Sequence, residues 1–508
     1  MHGTTVEQGA GLLDHPMHTS DDDFDPRQLV VRGAAQMLSF FEYAKSSPRQ
    51  LLARFLWFLV PSFLQGRSAG SPKAKLGPTA YLDGLRGAAA LGVFFCHHTY
   101  EAYNPDVGWG CGGGYYGFLR LPILRLTHSG RASVALFFVI SGYALSYKPV
   151  GMIRSRNMLG FGPAMSSMVF RRALRLYLPT VVSTALIVVF LRLGLYEPTR
   201  DFSMDHTYFR HMLIPHKDRF DSGLEQWMDW ANNVLYSLVL FNWDKQDGLN
   251  AYDGFLWTIP IEYRCSLYLF LVYIGTSRLK TRYRIMSLML ITYITYRKAR
   301  WDFLLFLYGL ACVEWDYARG AHAHMSTSAL PPSEKGPTNG SRRLLRVIAW
   351  NMLSVLALYL LSQPPSRSSE TPGWKTLGSM IPEWWEGKLR DRYWQGFGAG
   401  LFVLSMGHSA FWQRVFNADA MQYLGKISYS LYLVHGRVSR GLQYTLLKFV
   451  FEYLTGTEGD DYYRGFWIGS CITIPAVICC ADVFWRAVDI PIVKFSRWFE
   501  TKLVAKNA

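Results

Sequence analysis

Apolar residues gather along this chain in runs long enough to predict helices, with polar residues collected between them. About ten runs stand out, near 80–100, 131–147, 178–196, 255–276, 285–296, 301–317, 344–362, 396–410, 421–438 and 465–488. A bilayer-crossing helix needs about 20 mostly apolar residues, so the shorter runs match that length least well. The pattern predicts an all-α fold, a polytopic membrane helical bundle with about ten transmembrane helices. Residues 1–78 read as a polar, largely disordered region, because the first part carries "SDDDFD" and lacks the apolar core of a cleavable signal peptide. Within it, "QLLARFLWFLVPSFL" (50–64) is too short and interrupted to span and fits an interfacial helix. The transmembrane domain is predicted over 79–500, with a short cytoplasmic tail at 501–508. "NNVLYSLVLFNW" (232–243) fits a re-entrant or surface piece. Residues 318–343 read as a flexible loop. Residues 363–394 form a second long loop whose Trp374, Trp384, Trp385 and Trp394 predict a cap at the membrane interface.

Composition supports the membrane reading. Hydrophobic residues make up 50% of the 508 and charged residues 18%, against about 25% charged in an ordinary soluble domain. The net charge of +16 would suit nucleic acid, but the basic residues sit between apolar runs, at "RRALRLYLP", "SRLKTRYR" and "SRRLLR". That is the pattern of cytoplasmic loops, so nucleic acid is excluded as a partner and the lipid bilayer is the partner expected. The loops at 148–177 and 277–284 are basic, whereas 197–231 and 457–463 are acidic on balance. Ten crossings with both termini in the cytoplasm satisfy this alternation, except that "RKAR" (297–300) falls outside. The sequon Asn339-Gly340-Ser341 falls inside and is expected to stay unmodified. Seven irregularly spaced cysteines without a CxxC predict neither a disulfide framework nor a metal site.

Polar residues inside the apolar runs are the candidates for chemistry, since lipid cannot solvate them. In "YLDGLRGAAALGVFFCHHTY" (81–100), Arg86 and His97 lie 11 residues apart, three turns plus about 20°, so they share a helix face about 16 Å apart along the axis. Asp83 is within i,i+3 reach of Arg86, and His98 points about 100° away from His97. The bland reading is an ion pair plus a buried core histidine. Ser141-Gly142 in "ALFFVISGYALSYK" reads first as a small pair for close helix packing, because no GxSxG surrounds it. Arg171, Arg172 and Arg175 open the third run, and their forks suit phosphate oxygens as well as simple anchoring. Glu262 sits within "FLWTIPIEYRCSLYLFLVYIG" beside Pro260, and His435 closes "LGKISYSLYLVHG". Glu262 could equally be a buried partner for an arginine, and a lone histidine such as His435 is more often structural.

These segments, in this order, resemble the acyltransferase 3 family of polytopic membrane acyltransferases. The first span is similar to that family's "LDGLRG-A-L-V…H", with a basic residue, ten others and a histidine, matched by Arg86 and His97. "FFVISGY", "RRALRLYLP", "WTIPIEY" and "LGKISYSLYLVHG" are similar to its "FFxxSG", "RxxRxxP", "WSLxVE" and "LGxxSYxLYLxH" segments. "FWRAVDIPIVKFSRWF" resembles its last helix. The likeness covers roughly 78–500 and looks closest to fungal members. It departs after Glu262, where "YRCSLYL" replaces "QFYL", and the doubled His97-His98 leaves the register of the essential histidine open. The resemblance implies O-acyl transfer from a cytoplasmic acyl-CoA, often acetyl-CoA, to a hydroxyl of a carbohydrate, lipid or natural product, without a metal. It implies His97 as general base, with Glu262 or Asp83 orienting it. Arg86 would steady developing charge, and Arg171, Arg172 and Arg175 would hold CoA phosphates. Ser141 and His435 stay open as carriers of an acyl intermediate. Two rival readings are a transporter, against which no inverted repeat is found, and an inactive scaffold.

Overall fold

The computed structural model describes residues 48–65, 76–238, 251–320, 340–385 and 387–504. The chain divides into two units at Lys75/Leu76. The first contributes one described helix, α1 (Pro48–Leu59). The predicted N-terminal disorder, most of the linker, residues 239–243, most of the 318–343 loop and Asn339 of the sequon lie outside the described residues.

Regular structure in the second unit is helical throughout its described residues. The principal helices are α2 (Ala80–Thr99), α3 (Gly130–Arg154), α4 (Met158–Arg192), α5 (Gly223–Ser237), α6 (Thr258–Thr276), α7 (Thr281–Arg297), α8 (Trp301–Ala318) and α9 (Gly340–Leu361). They continue with α10 (Tyr393–Met406), α11 (Ala410–Phe416), α12 (Asp419–Val438), α13 (Tyr444–Val450), α14 (Gly459–Phe484) and α15 (Ile490–Leu503). Five segments are long and apolar enough to cross a membrane: Gly130–Arg154, Met158–Arg192, Gly254–Thr276, Ser341–Leu361 and Gly459–Leu503. The other apolar runs are also helical, but shorter or more polar, so length and composition support five crossings and not the full ten. The basic stretch 148–177 is not the loop its charge suggested: α3 and α4 run through it, broken only at 155–157.

Two close helix contacts organise the bundle. α2 lies against α12, and a Cβ on Gly87 would come within 2.5 Å of the Gly425 backbone nitrogen. α3 lies against α8, where a Cβ on Gly142 would come within 2.3 Å of the Phe306 carbonyl oxygen, and one on Gly309 within 2.3 Å of the Val139 carbonyl oxygen. Small residues let backbones approach where lipid provides no hydrophobic drive. The first contact joins the N-terminal helix of the bundle to one more than 330 residues later.

The expected tryptophan cap is partly internal. Trp374 and Trp385 are buried, Trp374 stacks on Tyr359 at 5.0 Å between ring centres, and Trp384 lies beneath the Arg297 guanidinium at 4.2 Å. With Arg300 paired to Asp302 at 2.8 Å, two charges of the discordant "RKAR" segment have protein partners.

Candidate active site

α2 presents its two histidines to different neighbours, as helical spacing requires. His98 faces α14, where its Nε2 lies 2.8 Å from Ser470 Oγ. His97 faces α12: its Nδ1 lies 2.8 Å from His435 Nε2. The His97 ring also stacks on Phe255 at 3.9 Å between centres.

One backbone oxygen sets the protonation pattern of this pair. His435 Nδ1 lies 3.1 Å from the Leu431 carbonyl. A carbonyl only accepts, so Nδ1 carries the hydrogen and Nε2 of neutral His435 is the acceptor. His97 Nδ1–H then donates to His435 Nε2, and His97 Nε2 keeps its lone pair. This assignment follows from the hydrogen-bond network. A base lone pair held ready by a second group is the logic of triad catalysis, here with imidazole in the orienting role. Neither Glu262 nor Asp83 hydrogen-bonds to His97; the group that does is His435.

Asp253 stands behind His435. It is buried, accepts from the Phe255 amide at 3.2 Å and pairs with Arg440 at 3.1 Å. Arg440 belongs to a π turn, Ser439–Gln443, that follows α12 directly; such turns cluster at functional sites. "YDG" in a loop reads as turn chemistry, so Asp253 carried no signal in the sequence.

His97 lines a cavity of about 150 Å³ together with Arg131, Trp257, Thr258, Arg392 and Tyr432. Thr258 Oγ1 and the Tyr432 hydroxyl are 2.7 Å apart. One turn further along α6 from Thr258, three of the motifs meet at Glu262. Ser141 Oγ donates to its Oε1 at 2.8 Å, and Arg172 Nη2 reaches the same oxygen at 2.6 Å. Arg172 Nε donates to Ser266 Oγ at 3.2 Å.

At the other end of α2, Arg86 pairs with Asp83 at 3.1 Å and donates to Ser428 Oγ at 3.0 Å and the Gly425 carbonyl at 3.1 Å. The three arginines of α4 separate in role. Arg171 pairs with Glu500 at 3.1 Å, and Arg172 is committed to Glu262. Arg175 makes no hydrogen bond or ion pair within 4 Å to a described residue. Its charge, with that of Arg86, acts on Asp489 of the "DIP" segment. Among the described residues no group of three or more His, Cys, Asp or Glu side chains is placed to hold a metal ion.

A family model described as an acyltransferase domain matches residues 79–486. The chain is 30% identical to O-acetyltransferase PaAT-1 of Phomopsis amygdali, covering 88% of this chain and 89% of that one. It is 25% identical to acyltransferase clz18 of Cochliobolus lunatus, over 82% and 94% of the two chains. It is 24% identical to acyltransferase R4 of a Phoma species, over 81% and 94%. No solved structure matches. With the family match spanning most of its length, and with apolar helices fit to cross a bilayer, this chain belongs to the acyltransferase 3 family of membrane acyltransferases.

Proposed function

We propose that this acyltransferase moves an acyl group, acetyl in the first instance, from acyl-CoA to a hydroxyl of a carbohydrate, lipid or natural product. The observation that carries the reading is the His97–His435 pair beside a cavity. His97 Nε2 takes the proton from the acceptor hydroxyl as its oxygen attacks the thioester carbonyl carbon. The tetrahedral adduct collapses, the carbon–sulfur bond breaks, and the proton passes to the CoA sulfur, giving ester and free thiol. Proton transfer of this kind contributes about 10²–10⁴-fold. His435 and the charge of Asp253 steady the imidazolium that forms. Direct transfer of this kind needs no acyl intermediate on Ser141 or His435.

The donor enters from the end of α2 that carries Arg86, where Arg175 is free to meet CoA phosphates. Arg171 and Arg172 reach a phosphate only by leaving Glu500 and Glu262. With a cytoplasmic N-terminus, as the loop charges suggest, that end of α2 faces the cytosol, where acyl-CoA resides. The name PaAT-1 bears for its relative, an O-acetyltransferase, supports acetyl and oxygen as the group and atom. The test uses protein in nanodiscs with labelled acetyl-CoA and a panel of hydroxylated acceptors, scoring ester product and free CoA. His97→Ala is expected to lose transfer while still accumulating in membranes. Near-normal transfer by His97→Ala refutes the assignment, and loss confined to His98→Ala moves the base by one residue.

A further inference from the structure

Arg392, just ahead of α10, lines the same cavity as His97 and was not among the residues the sequence singled out. Its guanidinium lies over the Trp301 ring at 4.0 Å and over the Trp257 ring at 5.4 Å from their centres. Indole faces hold a cation in place but offer no oxygen for its N–H fork. The neighbouring charges are already matched. Arg131 pairs with Asp391 at 3.4 Å and donates to the Pro365 carbonyl at 3.1 Å. Asp106, on the same cavity wall, accepts from the Tyr100 hydroxyl at 3.1 Å. Arg392 alone of the cavity's cations makes no hydrogen bond or ion pair within 4 Å to a described residue. A half-buried guanidinium in that condition is available to an incoming anion.

We propose that Arg392 binds a carboxylate on the acceptor, so that the acceptor is a hydroxy acid held by its acid group while His97 addresses its hydroxyl. A carboxylate matches the planar fork with two parallel hydrogen bonds, and the two indole rings hold the guanidinium at the cavity wall. The proposal rests on His97 marking the acceptor site. CoA phosphate is the other anion available, but the Arg86 cluster stands at the opposite end of α2, about 16 Å from His97 along the helix, and Arg175 of α4 shares Asp489 with Arg86 at that end.

The test is binding, not turnover, so it stands or falls apart from the acyl-transfer assay. Protein in nanodiscs at pH 7.5 is titrated calorimetrically with 4-hydroxybenzoate, with the neutral isostere 4-hydroxybenzamide, and with CoA. Wild type is expected to bind the acid at least tenfold tighter than the amide. Arg392→Gln should erase that preference and Arg392→Lys should keep part of it, with CoA affinity within twofold of wild type in both, which also reports an intact fold. Equal affinity for acid and amide in wild type, no binding of the acid, or an undiminished preference in Arg392→Gln overturns the proposal. Loss of CoA binding in both variants overturns it in favour of a donor-phosphate site.

Discussion

The His97–His435 hydrogen bond makes a quantitative demand on the reaction. Replacing His435 with Phe keeps an aromatic ring beside Phe255 and Phe94 but removes the Nε2 acceptor 2.8 Å from His97 Nδ1. Two losses follow. His97 is no longer held in the tautomer that leaves Nε2 free, and the imidazolium formed during transfer loses its nearest acceptor. A hydrogen bond to a charged group is worth about 1.5–3 kcal/mol, and each 1.36 kcal/mol is tenfold in rate, so kcat should fall roughly 10- to 150-fold. The Michaelis constant for acyl-CoA should change less than threefold, because the donor end of the site is marked by Arg86, three turns away along α2, and by Arg175 of α4. His435→Gln, whose side-chain oxygen can accept from His97, should recover part of the loss. The assay is steady-state acetyl transfer in nanodiscs with acceptor saturating. A His435→Phe variant turning over within threefold of wild type would refute the view that His435 orients the base. A large rise in the acyl-CoA constant with kcat unchanged would instead make His435 a donor-binding residue.

Two further predictions concern stability. Glu101 is buried just beyond α2 and accepts from the Tyr444 hydroxyl at 2.9 Å; burial pushes its carboxyl up to about 8. A folded pKa above the unfolded one gives stability that is complete below the ordinary carboxylate range and is lost as pH rises toward 8. The slope has a ceiling of about 1.4 kcal/mol per pH unit. Apparent Tm in nanodiscs should therefore drop between pH 5.5 and 8, and Glu101→Gln should flatten the drop; an unchanged slope in the variant counts against the argument. Gly87→Ala puts a Cβ about 2.5 Å from the Gly425 backbone nitrogen and should cost about 1–3 kcal/mol by overpacking. Gly162→Ala in α4, where a Cβ meets nothing within 4 Å, should be neutral or mildly stabilising. Equal melting of the two variants would show that the α2–α12 contact is looser than drawn.

Local rules carried much of this architecture. Arg86, His97 and His98 could be placed on their faces of α2 because an ideal helix advances about 100° per residue. Ser141, Arg172 and Glu262 could be nominated because membrane interiors tolerate few polar groups without a purpose. Their convergence on one carboxylate oxygen could not be read, since spacing within a helix says nothing about which helices meet. His435 shows the limit well: as one histidine ending an apolar run it looks structural, and only the pairing of α2 with α12 gives it a role. Asp253 and Arg392 lie in non-periodic segments, where turn-forming or generally basic residues mask a specific one. The stretch 148–177 reads as a loop from its charge, yet α3 and α4 run through it and Pro163 sits inside α4.

The pairing of His97 with His435 also sets an order on biosynthesis. One imidazole leaves the ribosome near the start of the bundle and the other 338 residues later, after nine of the other principal helices have been made. The two helices that hold them approach closely at Gly87, where a Cβ would lie 2.5 Å from the Gly425 backbone nitrogen. A nascent or prematurely terminated chain that ends before α12 therefore carries His97 without the imidazole that pairs with it.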